Sequence, residues 1–125
     1  MKFLSLIKSL FRSAPRYSAQ ACADRVRRGE AMLVDVREPG EWASGFADSA
    51  ALLPLSDLAG ARTHWNKFLA EANGRELLLY CAVGGRSGIA ARILTAEGFR
   101  AANAGSLAEW RNAGWPLDRN AGKLP

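Results

Sequence analysis

Residues 76–94 read ELLLYCAVGGRSGIAARIL, and this stretch decides the class of fold. The continuous apolar run that ends at Tyr80 predicts a buried strand, because strands covered on both faces lack the alternation of half-exposed ones. A polar, glycine-rich segment follows, and Ile89, Ile93 and Leu94 then recur at helical spacing. A strand, a loop and a helix in this order are typical of a parallel α/β sheet.

The remainder of the chain repeats this alternation. Ser18 is the expected N-cap of a first helix, and Gly29 the expected end of it. Further strands are predicted at residues 31–36, 52–55 and 100–103, a turn at Pro39-Gly40, and further helices from about Ser56 to Ala72 and over residues 106–113. We therefore predict an α/β fold with a small, mainly parallel sheet and helices on both faces. In such sheets ligand sites gather at the carboxyl ends of the strands, where Cys81 stands.

Length and charge limit the classes of function. A chain of 125 residues supports one core, so one domain is expected. Of the net charge of +5, the first 16 residues supply four, and from Tyr17 onward 13 Lys and Arg stand against 12 Asp and Glu. No basic run with interleaved aromatic residues remains to follow a phosphate backbone. Nucleic acid is therefore not an expected partner.

The first dozen residues, MKFLSLIKSLFR, have the pattern of a short basic amphipathic helix. We accordingly divide the chain into this N-terminal segment at residues 1–16, a domain at 17–118 and a tail at 119–125. A secretory signal fits poorly, because Lys8 interrupts the apolar run and Arg12 and Arg16 lie where a cleavage region is uncharged. Packing on the domain, or a terminus that packs on nothing, is favoured over reversible contact with a membrane surface.

The cysteine count indicates a reducing compartment. The chain contains Cys22 and Cys81, and a domain of this size does not need a disulfide to stabilise its core. Cys22 falls on a face of the first predicted helix. A cytoplasmic location is the expectation.

The loop after Cys81 has the composition of an anion site. Gly84 and Gly85 allow the backbone to curl with positive φ, and curled backbone next to a helix N-terminus points amide N–H groups inward. A thiolate is an anion that such a loop stabilises, and the Arg86 guanidinium should assist in lowering the thiol pKa. The one histidine, His64, is expected at the surface, so a Cys-His dyad is not predicted.

Three separated motifs resemble the rhodanese-like domain. They are DVREPGEW at residues 35–42, YCAVGGRS at 80–87, and Gly105-Ser106 ahead of Trp110 and GWP at 114–116. The resemblance covers about residues 17 to 118. It implies a rhodanese-like α/β fold in which the loop from Cys81 to Arg86 surrounds a sulfur atom.

The resemblance also implies an activity, that of a thiosulfate sulfurtransferase. Cys81 would be the nucleophile and carry the sulfur as a persulfide between a donor such as thiosulfate and a thiol, cyanide or protein acceptor. The expected anion cradle is the backbone of Ala82, Val83, Gly84, Gly85, Arg86 and Ser87, with Arg86 as the fixed positive charge of the loop. For Asp35, Arg37 and Glu41 we expect a supporting polar network beneath the loop, with Arg86 as one partner. Neither a metal nor an organic cofactor is required.

Two rival functions stay open at this point. Related phosphatases and arsenate reductases place the arginine six positions after the cysteine and usually a histidine before it, whereas here Arg86 is five after Cys81 and Tyr80 precedes it. Non-catalytic rhodanese-like modules bind a protein partner but typically lose the loop cysteine. One departure from the family pattern is Phe46, which stands where a histidine is usual, and we interpret it as altered packing near the loop.

Overall fold

The computed structural model describes residues 14–120, so the predicted N-terminal amphipathic helix and the end of the tail lie outside the described residues. The helices are α1 (Ala19–Arg27), α2 (Pro39–Trp42), α3 (Leu55–Ala59), α4 (Thr63–Glu71), α5 (Gly85–Ala96) and α6 (Leu107–Asn112). The strands are β1 (Ala31–Asp35), β2 (Phe46–Ala47), β3 (Ala51–Leu52), β4 (Glu76–Cys81), β5 (Ala101–Ser106) and β6 (Leu117–Asp118). Helices separate most of the strands from β1 onward, as the sequence pattern predicts, although β2 and β3 follow each other directly.

Four strands form one parallel sheet in the order β3-β1-β4-β5. β1 and β4 lie at the centre, with Ala31 opposite Glu76 and Asp35 opposite Tyr80. The predicted mainly parallel sheet is confirmed. The polar ends of β1 and β4 therefore lie side by side at the carboxyl edge of the sheet.

Both faces of this sheet are covered. Alternate residues of β4 point to opposite sides, so Leu77 and Leu79 pack with Trp65 and Leu94, under α4 and α5. On the other side, Leu78 and Tyr80 belong to a cluster that also contains the residues of α1 and α6, namely Cys22 and Trp110. The alternation explains why the sequence of β4 is apolar without interruption.

The predicted helix from Ser56 to Ala72 is wrong, because the structure has two helices there. α3 ends at Ala59 with Gly60 as its C-cap, and Arg62 adopts a left-handed backbone with φ of 58°. The Asp57 carboxylate accepts hydrogen bonds from the backbone N–H groups of Thr63, His64 and Trp65, at 2.9, 3.1 and 3.0 Å. These bonds satisfy the free amides at the start of α4, and they make the break favourable.

Other boundaries differ more modestly. Pro39 and Gly40 begin the short helix α2 where a turn was predicted, and β5 continues to Ser106 beyond its predicted end at Asn103. β2 and β6 pair as a small antiparallel ribbon that the sequence pattern did not indicate. Within residues 14–120, no helix is long and apolar enough to cross a membrane.

Candidate active site

Cys81 is the last residue of β4 and is completely buried. Its strand loses regular register with β5 at this point, because Leu79 pairs with Asn103 whereas Cys81 pairs with Ser106. The chain then turns away from the sheet and enters α5 at Gly85. The sulfur therefore lies below the N-terminus of a helix of 12 residues, where the helix dipole favours negative charge.

Backbone amides of the following loop point at this sulfur. The N–H of Gly84 donates to Cys81 Sγ at 3.0 Å, and the N–H of Ser87 donates at 3.4 Å. Gly84 has a φ of +96°, a backbone conformation that residues other than glycine rarely adopt. This left-handed residue produces the curl that turns both amides toward one atom.

The hydroxyl of Ser87 is a third group at the sulfur. Its Oγ lies 3.3 Å from Cys81 Sγ and 2.8 Å from Oδ1 of Asn103, on β5. The same Asn103 side chain donates from Nδ2 to the carbonyl of Gly84 at 3.0 Å. A strand residue thus connects the two parts of the loop that contact the sulfur.

These contacts favour the thiolate of Cys81. Burial raises the pKa of the Cys81 thiol, but hydrogen bonds from the Ser87 hydroxyl and from the amides of Ser87, Val83 and Gly84 lower it more, so the pKa falls below its ordinary value. Cys22 behaves in the opposite way, because burial in the α1 interface raises its pKa. Both thiols are free. The two cysteines therefore differ in reactivity.

Arg86 is held by Glu41 of α2. Nη1 and Nη2 of Arg86 lie 2.5 and 2.9 Å from the two carboxylate oxygens of Glu41, a bidentate ion pair. Arg86 lowers the pKa of Glu41 to about 2, and Glu41 raises the pKa of Arg86. Glu41 thus touches the loop through Arg86, and the arginine's positive charge is largely compensated.

Asp35 and Arg37 form a separate buried network beneath the site. Nη2 of Arg37 donates to Asp35 at 2.8 Å, and the Tyr80 hydroxyl donates to the same carboxylate at 2.6 Å. Arg37 also donates to the carbonyls of Glu41 at 3.3 Å and Gly45 at 2.7 Å. Burial lowers the pKa of Arg37, but the bonds to Asp35 raise it more, so the pKa of Arg37 rises overall. Burial, together with the neighbouring Asp35 carboxylate, raises the pKa of Tyr80. The network joins the ends of β1 and β4 to α2.

The remaining residues predicted for the loop form its outer rim. Ala82, Val83 and Gly85 are exposed, and the Val83 side chain is 85% accessible.

Phe46 is buried in β2, where it packs and pairs with Asp118 across the ribbon. His64 is exposed on α4, as expected. Trp42, Trp65, Trp110 and Trp115 are all buried.

Sequence reasoning missed the side chains of Ser87 and Asn103, because it assigned Ser87 a backbone role only and gave Asn103 no role. One signal was present, since asparagine is depleted in strands and Asn103 is the polar residue in the small, apolar run AANAG. It also missed Arg16, whose Nη2 lies 3.5 Å from the Glu109 carboxylate and beside Gly84. Within residues 14–120 no group of His, Cys, Asp and Glu is arranged to hold a metal ion.

Comparison with known proteins assigns the family. The Rhodanese-like domain model matches residues 18–113. An uncharacterized protein of Synechocystis sp., slr1261, is 37% identical over 87 residues, which is 68% of this chain and 45% of that protein. The chain therefore spans less than half the length of this curated relative.

Two solved structures are similar along most of the chain. The human single-domain sulfurtransferase TSTD1 is 28% identical, with a TM-score of 0.63 over 79% of this chain and 96% of that one. A Rhodopseudomonas palustris protein of unknown function, described as a possible tyrosine phosphatase, is 21% identical, with a TM-score of 0.70 over 92% of each chain, and shows the fold alone. The family model covers most of the chain, and the chain belongs to the rhodanese-like domain family.

Proposed function

We propose that the protein is a sulfurtransferase in which Cys81 accepts a sulfur atom as a persulfide and passes it to an acceptor. The observation that carries this proposal is the arrangement around Sγ, where two amides and one hydroxyl converge on a buried thiol whose pKa is lowered. Such groups stabilise a thiolate before reaction and a charged sulfur after it. The similarity to the human single-domain sulfurtransferase supports the same chemistry.

The first step is a displacement on the donor. The thiolate of Cys81 attacks the outer sulfur of thiosulfate, a new S–S bond forms, and the original S–S bond breaks as sulfite departs with its electron pair. Negative charge moves from Sγ to the outer sulfur of the persulfide, next to the same amides. Because Cys81 is buried, the donor has to approach across the exposed rim of Ala82, Val83 and Gly85.

The second step regenerates the enzyme. An acceptor thiolate or cyanide attacks the outer sulfur, the S–S bond to Sγ breaks, and Cys81 leaves as a thiolate. The products are a new persulfide or thiocyanate. Covalent catalysis of this kind predicts ping-pong kinetics and requires no metal or organic cofactor. Two free thiols are consistent with the cytoplasmic location that we propose.

The geometry favours sulfur transfer over phosphatase chemistry. A phosphatase needs its loop arginine to bind the substrate phosphate, whereas both terminal nitrogens of Arg86 bond Glu41. The loop is also one residue shorter between cysteine and arginine than in the related phosphatases. Cys81 is present, and two amides and a hydroxyl donate to its sulfur. This favours an enzyme over a non-catalytic module that binds a protein partner.

The proposal is tested by sulfite release from thiosulfate without an acceptor. Wild-type protein and the matched control Cys22→Ser should each release one sulfite per chain, because a single turnover leaves the persulfide in place. The Cys81→Ser variant should release none. Equal release by the Cys81→Ser variant would overturn the proposal. So would a wild-type protein that releases no sulfite from thiosulfate and also gains no sulfur atom from a persulfide donor, whose leaving group is a thiol.

A further inference from the structure

The hydroxyl of Ser87 has one proton and three acceptors within reach. Its Oγ lies 2.8 Å from Asn103 Oδ1, 3.3 Å from Cys81 Sγ and 3.4 Å from the carbonyl oxygen of Gly105. Ser87 is completely buried, so water does not supply an alternative partner. A hydroxyl that donates to Asn103 cannot at the same time donate fully to the sulfur.

The orientation of the Asn103 amide is fixed by its two backbone partners. The N–H of Gly105 donates to Oδ1 at 3.0 Å, and Nδ2 donates to the carbonyl of Gly84 at 3.0 Å. A flipped amide would set donor against donor at Gly105 and acceptor against acceptor at Gly84. Asn103 therefore presents an oxygen, and not an N–H, to Ser87.

We propose that Asn103 is a positioning residue that gives the Ser87 hydroxyl a second acceptor, so that this hydroxyl follows the charge on Cys81 Sγ during the reaction. In the thiol state the hydroxyl donates to Asn103 Oδ1, and the Cys81 S–H donates to Ser87 Oγ. When the thiol proton leaves to solvent, the hydroxyl turns to the thiolate. This inference rests on the proposed sulfur transfer only for the persulfide state.

In the persulfide the charge lies on the outer sulfur, and Sγ becomes a weak acceptor. The Ser87 hydroxyl then returns to Asn103 Oδ1 and stays paired. Without Asn103, the buried Ser87 hydroxyl would have no strong acceptor once the negative charge leaves Cys81 Sγ. A buried hydroxyl without a good hydrogen-bond partner is unfavourable. Asn103 thus reduces the difference in stability between the thiolate and the persulfide.

Other charged groups near Cys81 are paired with one another. Arg86 of α5 bonds Glu41 of α2, and Arg16 lies against Glu109 of α6, on the side of Gly84. Asp35 is bonded by Arg37 and Tyr80 beneath the strands. Within residues 14–120, none of these side chains forms a hydrogen bond with Asn103 or Ser87. Replacing Asn103 therefore alters the Ser87 hydroxyl and the two backbone bonds of Asn103, to Gly84 and Gly105, but breaks no ion pair.

A double-mutant cycle separates those two effects. Asn103→Leu is made in the wild-type background and in Ser87→Ala, and the pKa of Cys81 is read from the pH dependence of its alkylation by iodoacetamide. Loss of the backbone bonds from Asn103 to Gly84 and Gly105 acts in both backgrounds. Competition for the hydroxyl acts only where Ser87 is present. Alkylation does not depend on sulfur transfer, so failure here is distinguishable from failure of the proposed function.

We expect Asn103→Leu to lower the pKa of Cys81 by about half a unit to one unit more with Ser87 present than in the Ser87→Ala background. An equal effect in the two backgrounds, or a difference of opposite sign, would overturn the proposal. Asn103→Val, which suits a strand, replaces the leucine variant if circular dichroism shows that the latter is unfolded. Thr95→Val on α5 is the control, since its buried hydroxyl has no partner within residues 14–120, and it should leave the pKa of Cys81 unchanged.

Discussion

Arg86 and Glu41 form a bidentate ion pair across the mouth of the loop, with N–O distances of 2.5 and 2.9 Å. The pair joins the first turn of α5 to α2, two elements that are 45 residues apart in sequence. It occupies both terminal nitrogens of Arg86, while the pKa of Cys81 is lowered by hydrogen bonds from its own loop. The ion pair therefore joins the loop to α2, and bonds within the loop lower the pKa of the thiol.

Glu41→Gln should destabilise the protein in a manner that depends on pH. The pKa of Glu41 is about 2 in the folded protein and about 4.3 in an unfolded chain. The ionised Glu41 carboxylate therefore stabilises the fold fully above the unfolded pKa, and this stabilisation is lost as the pH falls through the folded pKa. Both side chains are about one-third exposed, and solvent screening limits the loss at neutral pH to about 1 kcal/mol. Urea unfolding at neutral pH and at about pH 3 measures this difference.

The difference between wild type and Glu41→Gln should shrink on acidification between about pH 5 and pH 2. The control is Glu30→Gln, which removes the exposed pair with Arg28 and should cause a smaller loss. A loss for Glu41→Gln that does not change with pH would contradict the assignment.

The two cysteines should react at different rates with iodoacetamide. Both thiols are buried, but the pKa of Cys81 is lowered and that of Cys22 is raised, so at neutral pH alkylation is expected to be faster at Cys81. Peptide mass spectrometry of protein labelled across a range of pH measures both. Preferential labelling of Cys22 in the folded protein would show that the cradle around Cys81 is incorrectly described.

Tyr80→Phe should lower stability by about 1 to 3 kcal/mol. The substitution removes the bond from the Tyr80 hydroxyl to Asp35, and it leaves the N–H of Ala47, which donates to that hydroxyl at 2.8 Å, without a partner. Urea unfolding measures the loss, with Tyr17→Phe as a control because the Tyr17 hydroxyl makes no hydrogen bond within residues 14–120. Equal stability of the two variants would argue against the buried network.

Gly84→Ala should affect both stability and thiol chemistry. A side chain at φ of +96° is strained by about 1 to 2 kcal/mol, and relief of that strain would turn the Gly84 amide away from Sγ and raise the pKa of Cys81. Gly29→Ala is a matched control, since Gly29 also has a positive φ, of 72°, but lies far from the loop in sequence and in open space.

The control should lose similar stability and keep the pKa of Cys81. Thermal unfolding and the pH profile of alkylation report the two effects separately. If Gly84→Ala left the alkylation profile unchanged although the variant was destabilised, the amide of Gly84 would not be a determinant of the thiolate.

The sequence was sufficient to predict the parallel sheet and the position of Cys81, because β4 is uniformly apolar and the glycines of the loop follow directly. It was not sufficient for the break between α3 and α4, where Asp57 bonds three amides that are six to eight residues further on. Periodicity alone continues through such a break, since apolar residues occur on both sides of it.

The supporting residues were predicted as a group, but their division into two networks was not. Asp35, Arg37 and Glu41 are close in sequence, yet only Glu41 bonds Arg86, while the other two pair beneath Tyr80. The role of Asn103 depends on the register of β5 against β4, which places it beside Ser87. Parallel strands are joined by a crossover and not by a tight turn, so no turn geometry in the sequence fixes their register.

The most direct test of the account is intact-protein mass spectrometry after incubation with thiosulfate, comparing wild type, Cys22→Ser and Cys81→Ser. We predict that wild type and Cys22→Ser gain the mass of one sulfur atom, that cyanide or a thiol reductant removes it, and that Cys81→Ser gains nothing. The same gain in Cys81→Ser, or its loss in Cys22→Ser alone, would contradict persulfide chemistry at Cys81.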